Sequence, residues 1–318
     1  MVNNPWETKT AICLSHGSIC RTGVVLCVRG VTHEILLFKN STIMKTSKTP
    51  LAAFSLLVAI TAFLVLGCKQ GTQAQTKTSG DSGGFAVVEL FTSEGCSSCP
   101  PADALMAEIA QGNANQSVYV LAYHVDYWNH LGWRDRFSDR QFTQRQRQYR
   151  SWLGAGSLYT PQVVINGTEE FVGSDTEAVS KGLAGARLQG QAAMLTLSAR
   201  LEQGKAVVDY AYTAAGKGES TELVLALVQK AAQSRVRAGE NMGRTLQHAQ
   251  VVRQMVALPV DLANKKQTTL DLPADFNETG WEIIGFAQRL ADGHVLAAAR
   301  VNLATLKPAT DQTAAAGK

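Results

Sequence analysis

The stretch FTSEGCSSCPPADALM, residues 91–106, sets Cys96 and Cys99 two residues apart. A thiolate is a nucleophile and a soft metal ligand, so a pair at this spacing can form a working disulfide, clip a metal or staple a turn. The prolines that follow narrow the placement. Pro100 biases Cys99 away from helical backbone, and Pro100 and Pro101 are tolerated only in a first helical turn, where the missing N–H groups have no intrahelical acceptor. A helix is therefore expected from about Pro100, with Cys96 exposed just outside it and Cys99 tucked beneath. The dipole at that end of a helix lowers a cysteine pKa.

The redox setting depends on the segment upstream. From Met44 the chain reads MKTSKTPLAAFSLLVAITAFLVLGC, a basic start followed by an apolar run that ends in small residues. That is the pattern of a secretory signal. Its end, VLGC, resembles a bacterial lipobox, which makes Cys68 the lipid-bearing residue, although Leu66 departs from the small residue usual there. A plain cleaved signal and an uncleaved anchor are the alternatives. Residues 1–43 precede this self-sufficient start and show no periodicity, as expected of an unstructured, over-extended gene start. Within them Cys13, Cys20 and Cys27, even with His16, lack the closely paired ligands of a tetrahedral metal site. If Cys68 is acylated, Cys96 and Cys99 are the only thiols left in an oxidising compartment, which favours redox chemistry over a disulfide framework.

Composition excludes other classes. With 45% hydrophobic and 18% charged residues the chain is globular rather than disordered. Its formal charge of +4 resides in residues 1–67, which hold six Lys/Arg against two Asp/Glu, so the body is neutral and no nucleic-acid partner is expected.

The elements that would position the cysteines follow from pattern. Residues 69–84 form a Gly/Ser/Thr/Gln-rich linker. FAVVELFTS (85–93) reads as a strand buried on both faces, PPADALMAEIAQG as a helix ended by Gly112, and SVYVLAYHV (117–125) as a second buried strand: a βαβ unit with a parallel pair. Residues 138–156 read as a helix capped by Ser138 or Asp139, with Phe142, Tyr149 and Leu153 near one face and Arg140, Arg145, Arg147 and Arg150 on a solvated one. Residues 158–174 read as a hairpin turning at Asn166-Gly167, and 175–188 as a helix capped by Asp175. From about residue 190 to 305, alternating strands, two of them joined through Asp292-Gly293, predict a mostly antiparallel, sandwich-like β domain. Residues 306–318 read as a disordered tail.

The order β-α-β-α-β-β-α, the CxxC after the first strand and Thr160-Pro161 before the third resemble the thioredoxin fold over residues 85–188. More narrowly, VVELFTSEGCSSCPPAD, HVDYW (124–128), LGW (131–133), YTPQVVING, FVGSD, GEN (239–241) and VVR (251–253) resemble the secreted DUF1223 family of thioredoxin-like proteins. The fold class implied is an α/β thioredoxin-like domain followed by the β-rich one. The resemblance implies Cys96 as attacking thiol, Cys99 as resolving thiol, and Thr160 and Pro161 as the cis-proline segment that holds an extended substrate. Where thioredoxins carry a buried acid six residues before the first cysteine, this chain has Leu90; Glu89, one place off, faces the other side of the strand. Deprotonation of Cys99 then calls on another base, with Glu94, His124 and Asp126 as candidates.

His124 lies at the C-terminal edge of the second parallel strand, either as a hydrogen-bonded structural residue or with a role beside the cysteines. Asp126, Tyr127, Trp128 and Trp133 line a groove or pack the loop. Glu240, Asn241 and His248 read as polar loop residues that fix a turn, with contact to the cysteine site as the alternative. The function expected is a cell-envelope thiol–disulfide oxidoreductase or disulfide-handling protein, periplasm-facing or secreted. It would act on protein or small-molecule thiols and disulfides, need no cofactor or metal, and meet the membrane through lipid on Cys68. The alternatives are a non-catalytic binding lipoprotein stapled by its CxxC, or a copper-type metal chaperone that uses both thiolates with His124.

Overall fold

The computed structural model describes residues 84–305 except 115, 191–192, 215–218 and 261–265. The expectations for the extension 1–43, the signal and lipidation site 44–68, the linker up to residue 83 and the tail 306–318 lie outside the described residues. Among the described residues no helix is long and apolar enough to cross a membrane.

The elements follow the expected order. Strand β1 (Ala86–Thr92) leads through the cysteine turn to α1 (Pro100–Gly112), β2 (Val118–His124), α2 (Arg140–Leu153), β3 (Gln162–Ile165), β4 (Glu169–Val172) and α3 (Thr176–Leu188). Local chemistry accounts for the boundaries: Pro100 and Pro101 occupy the first turn of α1. Asp139 and Asp175 accept the Gln141 and Ala178 amides at the starts of α2 and α3. Asn166 and Gly167 both take positive φ, as a tight hairpin turn requires. The β-rich part supplies β5 (Ala193–Glu202), β6 (Lys205–Ala214), β7 (Thr221–Arg235), β8 (Thr245–Pro259), β9 (Lys266–Asp271), β10 (Trp281–Arg289) and β11 (Val295–Asn302).

Eight of these strands share one sheet in the order β11-β10-β7-β8-β2-β1-β3-β4. Pairs β1/β2 and β2/β8 are parallel, the others antiparallel. The texture change near residue 190 is therefore no break in the architecture: β8 covers the edge that β2 would otherwise expose, joining at Ala122 and Val251. All described residues fall in one compact unit. The fold is mixed α/β around a large, mostly β sheet. Its sandwich-like part is the small sheet β5-β6-β9, which packs Leu197, Val208 and Tyr210 against Leu225, Trp281 and Ile283.

Strand alternation sorts β1 between two cores. Val88 and Leu90 pack with Leu105 and Met106 of α1 and Val179 of α3. Val87 and Phe91 face the other side, with Phe142 and Tyr149 of α2 and with Val224, Ile284 and Phe286 from the β-rich part. Glu89 also faces that second side, as its parity requires, and is fully buried. Its partner corrects one expectation: Arg145 is not on a solvated face but 2% exposed, with Nε 2.5 Å and Nη2 2.9 Å from the Glu89 carboxylate. Tyr149 hydroxyl also donates to Glu89, and Gln288 of β10 accepts from Arg145 at 3.2 Å. Burial works against the charged guanidinium, but the Glu89 carboxylate holds its pKa above the ordinary value. Burial pushes the Tyr149 phenol well up as well.

Candidate functional site: a capped disulfide beside a buried polar cluster

Cys96 and Cys99 form a disulfide, with Cα atoms 5.4 Å apart, that spans the turn from β1 into α1. The turn is tied by Cys99 N–H to Cys96 O at 3.3 Å, while Ala102 and Asp103 amides close the helix start on Cys99 O. The intervening Ser97 and Ser98 are exposed, and Ser98 Oγ lies 3.4 Å from Cys96 Sγ. Access differs from expectation: Cys96 is as fully buried as Cys99.

The cause is a segment 140 residues downstream in the chain's β-rich part, the β7–β8 connection at 236–244. Asn241, fully buried, donates from Nδ2 to Glu94 O and to Cys96 O, both at 2.9 Å, and its Oδ1 accepts from Arg244 at 2.7 Å. Glu240 accepts the Ser97 amide at 3.0 Å, and hydrogen bonding from the Ser97 side chain, with the amide second, holds its carboxyl below the usual range. Gly239 takes φ +76, and a Cβ there would stand 3.3 Å from Trp133 Cβ, so the connection lies close against the 129–135 loop. The GEN motif thus caps the cysteine turn, which is the contact that sequence offered only as an alternative. Asn241→Ala removes two bonds to buried carbonyls, each worth about 1 kcal/mol. We expect reduction of the disulfide by a small phosphine to accelerate about 10-fold, measured by stopped thiol labelling. An unchanged rate would show that cap opening does not limit access.

A second feature adjoins the turn. Register pairs Thr92 with His124 at the C-terminal ends of β1 and β2, both on the α1 side of the sheet. Thr92 hydroxyl donates to Asp103 Oδ2 at 3.1 Å. His124 Nδ1 lies 2.6 Å from Asp135 Oδ2, which also accepts the Glu94 amide at 2.8 Å. Burial would raise the Asp135 pKa, but the His124 contact lowers it. Trp133 Nε1–H donates to Glu94 Oε2 at 2.6 Å. His248, projecting from β8, stands 3.6 Å from both Glu94 Oε1 and Asp103 Oδ1, and its ring centroid is 4.8 Å from that of His124. Burial would depress His248, yet the Asp103 and Glu94 carboxylates push its pKa up to about 9.

The expected site residues therefore divide. Glu94 and His124 join Cys96 and Cys99 around the start of α1. Asp126 does not: its carboxylate accepts from Thr143 Oγ1 at 2.5 Å and its amide donates back at 3.2 Å, tying it to α2. The Thr160-Pro161 bond is cis. A Cβ on Gly173 would lie 3.1 Å from Pro161 Cβ and 3.2 Å from Ala102 Cβ, so the proline sits by the first turn of α1. Thr160 Oγ1 accepts from Trp128 Nε1 at 2.9 Å. Asp103 and Asp135 were missed. Asp103 lies within the VVELFTSEGCSSCPPAD motif at the fourth position of the helix, and that place one turn beyond Cys99 is the signal for it. The two thiolates that a copper-chaperone reading needs are joined to each other here.

The chain thus carries a disulfide at a strand–helix junction of a mixed α/β fold. Residues 87–288 match the family described as protein of unknown function (DUF1223), and the chain belongs to that family. It is similar to the crystal structure of protein AGR_C_4864 from Agrobacterium tumefaciens, at 26% identity over 70% of this chain and 96% of that one, with a TM-score of 0.54. A domain of the outer membrane lipoprotein Omp28 from Porphyromonas gingivalis aligns at 12% identity over 37% of this chain and 90% of that one, with a TM-score of 0.24, too low to carry an argument. No match was found among curated proteins.

Proposed function

We propose that the chain is a thioredoxin-like thiol–disulfide exchange protein of the bacterial cell envelope, with Cys96–Cys99 as its redox pair. The observation that carries this reading is the disulfide itself, set between the C-terminal end of a parallel strand and the first turn of α1. The strand order β2-β1-β3-β4, with α1 and α3 on one face and α2 on the other, and the cis Thr160-Pro161 segment beside α1 support it. In the exchange a substrate thiolate attacks Cys96 Sγ, the S–S bond breaks, and Cys99 leaves as a thiolate that takes up a proton. A second substrate thiolate then attacks the substrate sulfur of the mixed disulfide, so that Cys96 leaves as a thiolate and the substrate dithiol becomes a disulfide; in the reverse sequence the Cys96 thiolate attacks a substrate disulfide, Cys99 resolves the mixed disulfide, and the substrate is reduced as the Cys96–Cys99 bond re-forms. Glu94 and His124 are the nearby acid/base candidates, and the 239–241 cap must yield for a substrate to reach Cys96. The signal at 44–68 supports the envelope location, with lipid on Cys68 as the membrane contact.

Serine variants test the roles. Cys99→Ser leaves a reactive thiol without its resolving partner, so mixed disulfides should accumulate on a non-reducing gel at least about 10-fold above Cys96→Ser. The full burial of both cysteines favours a second reading, a binding lipoprotein whose pair staples the turn. Absence of trapping by both variants, with the cap opened by Asn241→Ala, would establish that reading instead.

A further inference from the structure

Beside the disulfide, Glu94 Oε1, Asp103 Oδ1, His124 Nε2 and both ring nitrogens of His248 are buried without a hydrogen-bond partner. Four of these atoms face one another in pairs at 3.6 Å, His248 Nε2 with Glu94 Oε1 and His248 Nδ1 with Asp103 Oδ1, beyond hydrogen-bond length, and His124 Nε2 adds a fifth. Buried polar groups are rarely left unpaired, so a cluster held this far apart calls for an occupant. The other polar atom of three of these residues is already engaged: Glu94 Oε2 by Trp133, Asp103 Oδ2 by Thr92, His124 Nδ1 by Asp135. Those bonds fix the free atoms inward. One ligand atom each from Asp103, His124 and His248 lies within 4.8 Å of the others.

We propose that Asp103, His124 and His248 bind a divalent transition-metal ion of the Zn²⁺ class, with Asp135 and Glu94 orienting the two imidazoles. Two imidazole nitrogens and a carboxylate oxygen are a borderline donor set that suits such an ion and not Ca²⁺ or Mg²⁺, which take oxygen ligands. Bonds of about 2.0–2.1 Å at tetrahedral angles place ligand atoms about 3.4 Å apart; His248 Nδ1 and Asp103 Oδ1 are 3.6 Å apart. A metal-bound histidine commonly gives its other N–H to a carboxylate. His124 has Asp135 in that place, and His248 has Glu94 Oε1 facing Nε2. An approach exists as well: a cleft of about 490 Å³ between α1 and the start of β8 has Asp103 and His248 in its wall. No cysteine belongs to the set, so the site differs from a thiolate clip and persists with the disulfide intact.

The test uses the full chain with its disulfide intact and its free thiols alkylated. Equilibrium dialysis against Zn²⁺ should retain one ion per chain and raise Tm. His248→Gln and Asp103→Asn should each weaken binding at least about 100-fold, and Asp135→Asn, which keeps all three ligands, about 10- to 100-fold. His130→Gln, on an exposed loop, should change nothing. Co²⁺ should give d–d bands without thiolate charge transfer. The competing occupant is a proton, which would hold His248 as an imidazolium between Glu94 and Asp103. If ¹⁵N spectra show both His248 nitrogens protonated with Zn²⁺ present, and wild-type Tm does not move, the proposal is overturned. Retention that survives His248→Gln and Asp103→Asn overturns it too. Should those two variants not fold, the wild-type Tm response and Asp135→Asn decide.

Discussion

Residues 84–189 expressed alone are expected not to fold cooperatively. In the whole chain the α2 side of β1 and β2 is one half of a core whose other half comes from later strands: Phe91, Tyr123, Phe142 and Tyr149 pack with Val224, Val228, Val252, Ile284 and Phe286. Removal of residues after 189 exposes that face and bares the β2 edge that β8 covers, an open edge of apolar residues prone to pair with other chains. Lost apolar burial at about 25 cal/mol per Å², over several large side chains, exceeds the few kcal/mol by which a domain of this size is stable. The hairpin tip loses its seat as well: Asn166 O accepts the Val295 amide at 2.9 Å, and Gly167 lies so close to Gly293 that a Cβ would meet its carbonyl at 1.8 Å. Near-UV circular dichroism and urea titration check this. A sigmoidal transition with native-like aromatic signal would show that residues 84–189 are an independent domain.

Arg145→Ala should destabilise the protein by about 3–5 kcal/mol, because it leaves the Glu89 carboxylate buried without its cation. The guanidinium also stands over the Phe286 ring at 5.0 Å and the Tyr149 ring at 4.9 Å, so packing is lost with the charge. At about 2–4 °C per kcal/mol for a chain of this size, Tm should fall by about 10 °C. Replacement of both partners, Glu89→Met with Arg145→Met, removes the stranded charge and should recover most of the loss. Urea midpoints of the single and double variants separate the two effects. A loss under 1 kcal/mol in the single variant would mean that water reaches Glu89.

The order of elements, the start of α1 at Pro100 and the Asn166-Gly167 turn were legible in the sequence because each depends on residues within a few positions of one another. Prolines fix φ, caps bond amides two or three residues ahead, and strand alternation alone placed Glu89 opposite Leu90. Three other features depended on pairings between distant segments. Arg145 looked solvated because helix periodicity reports a face, not what covers it; Glu89 and Gln288, 56 and 143 residues away, take it inside. Cys96 looked exposed because the turn before a helix usually is, until the 236–244 connection closes on it through Asn241. Asp103, His124 and His248 converge only because β8 inserts beside β2 and carries His248 to the first turns of α1. Sheet order is set by which apolar faces and strand edges can be covered together, a property of the whole chain, and the cap, the buried ion pair and the histidine cluster all follow from that order.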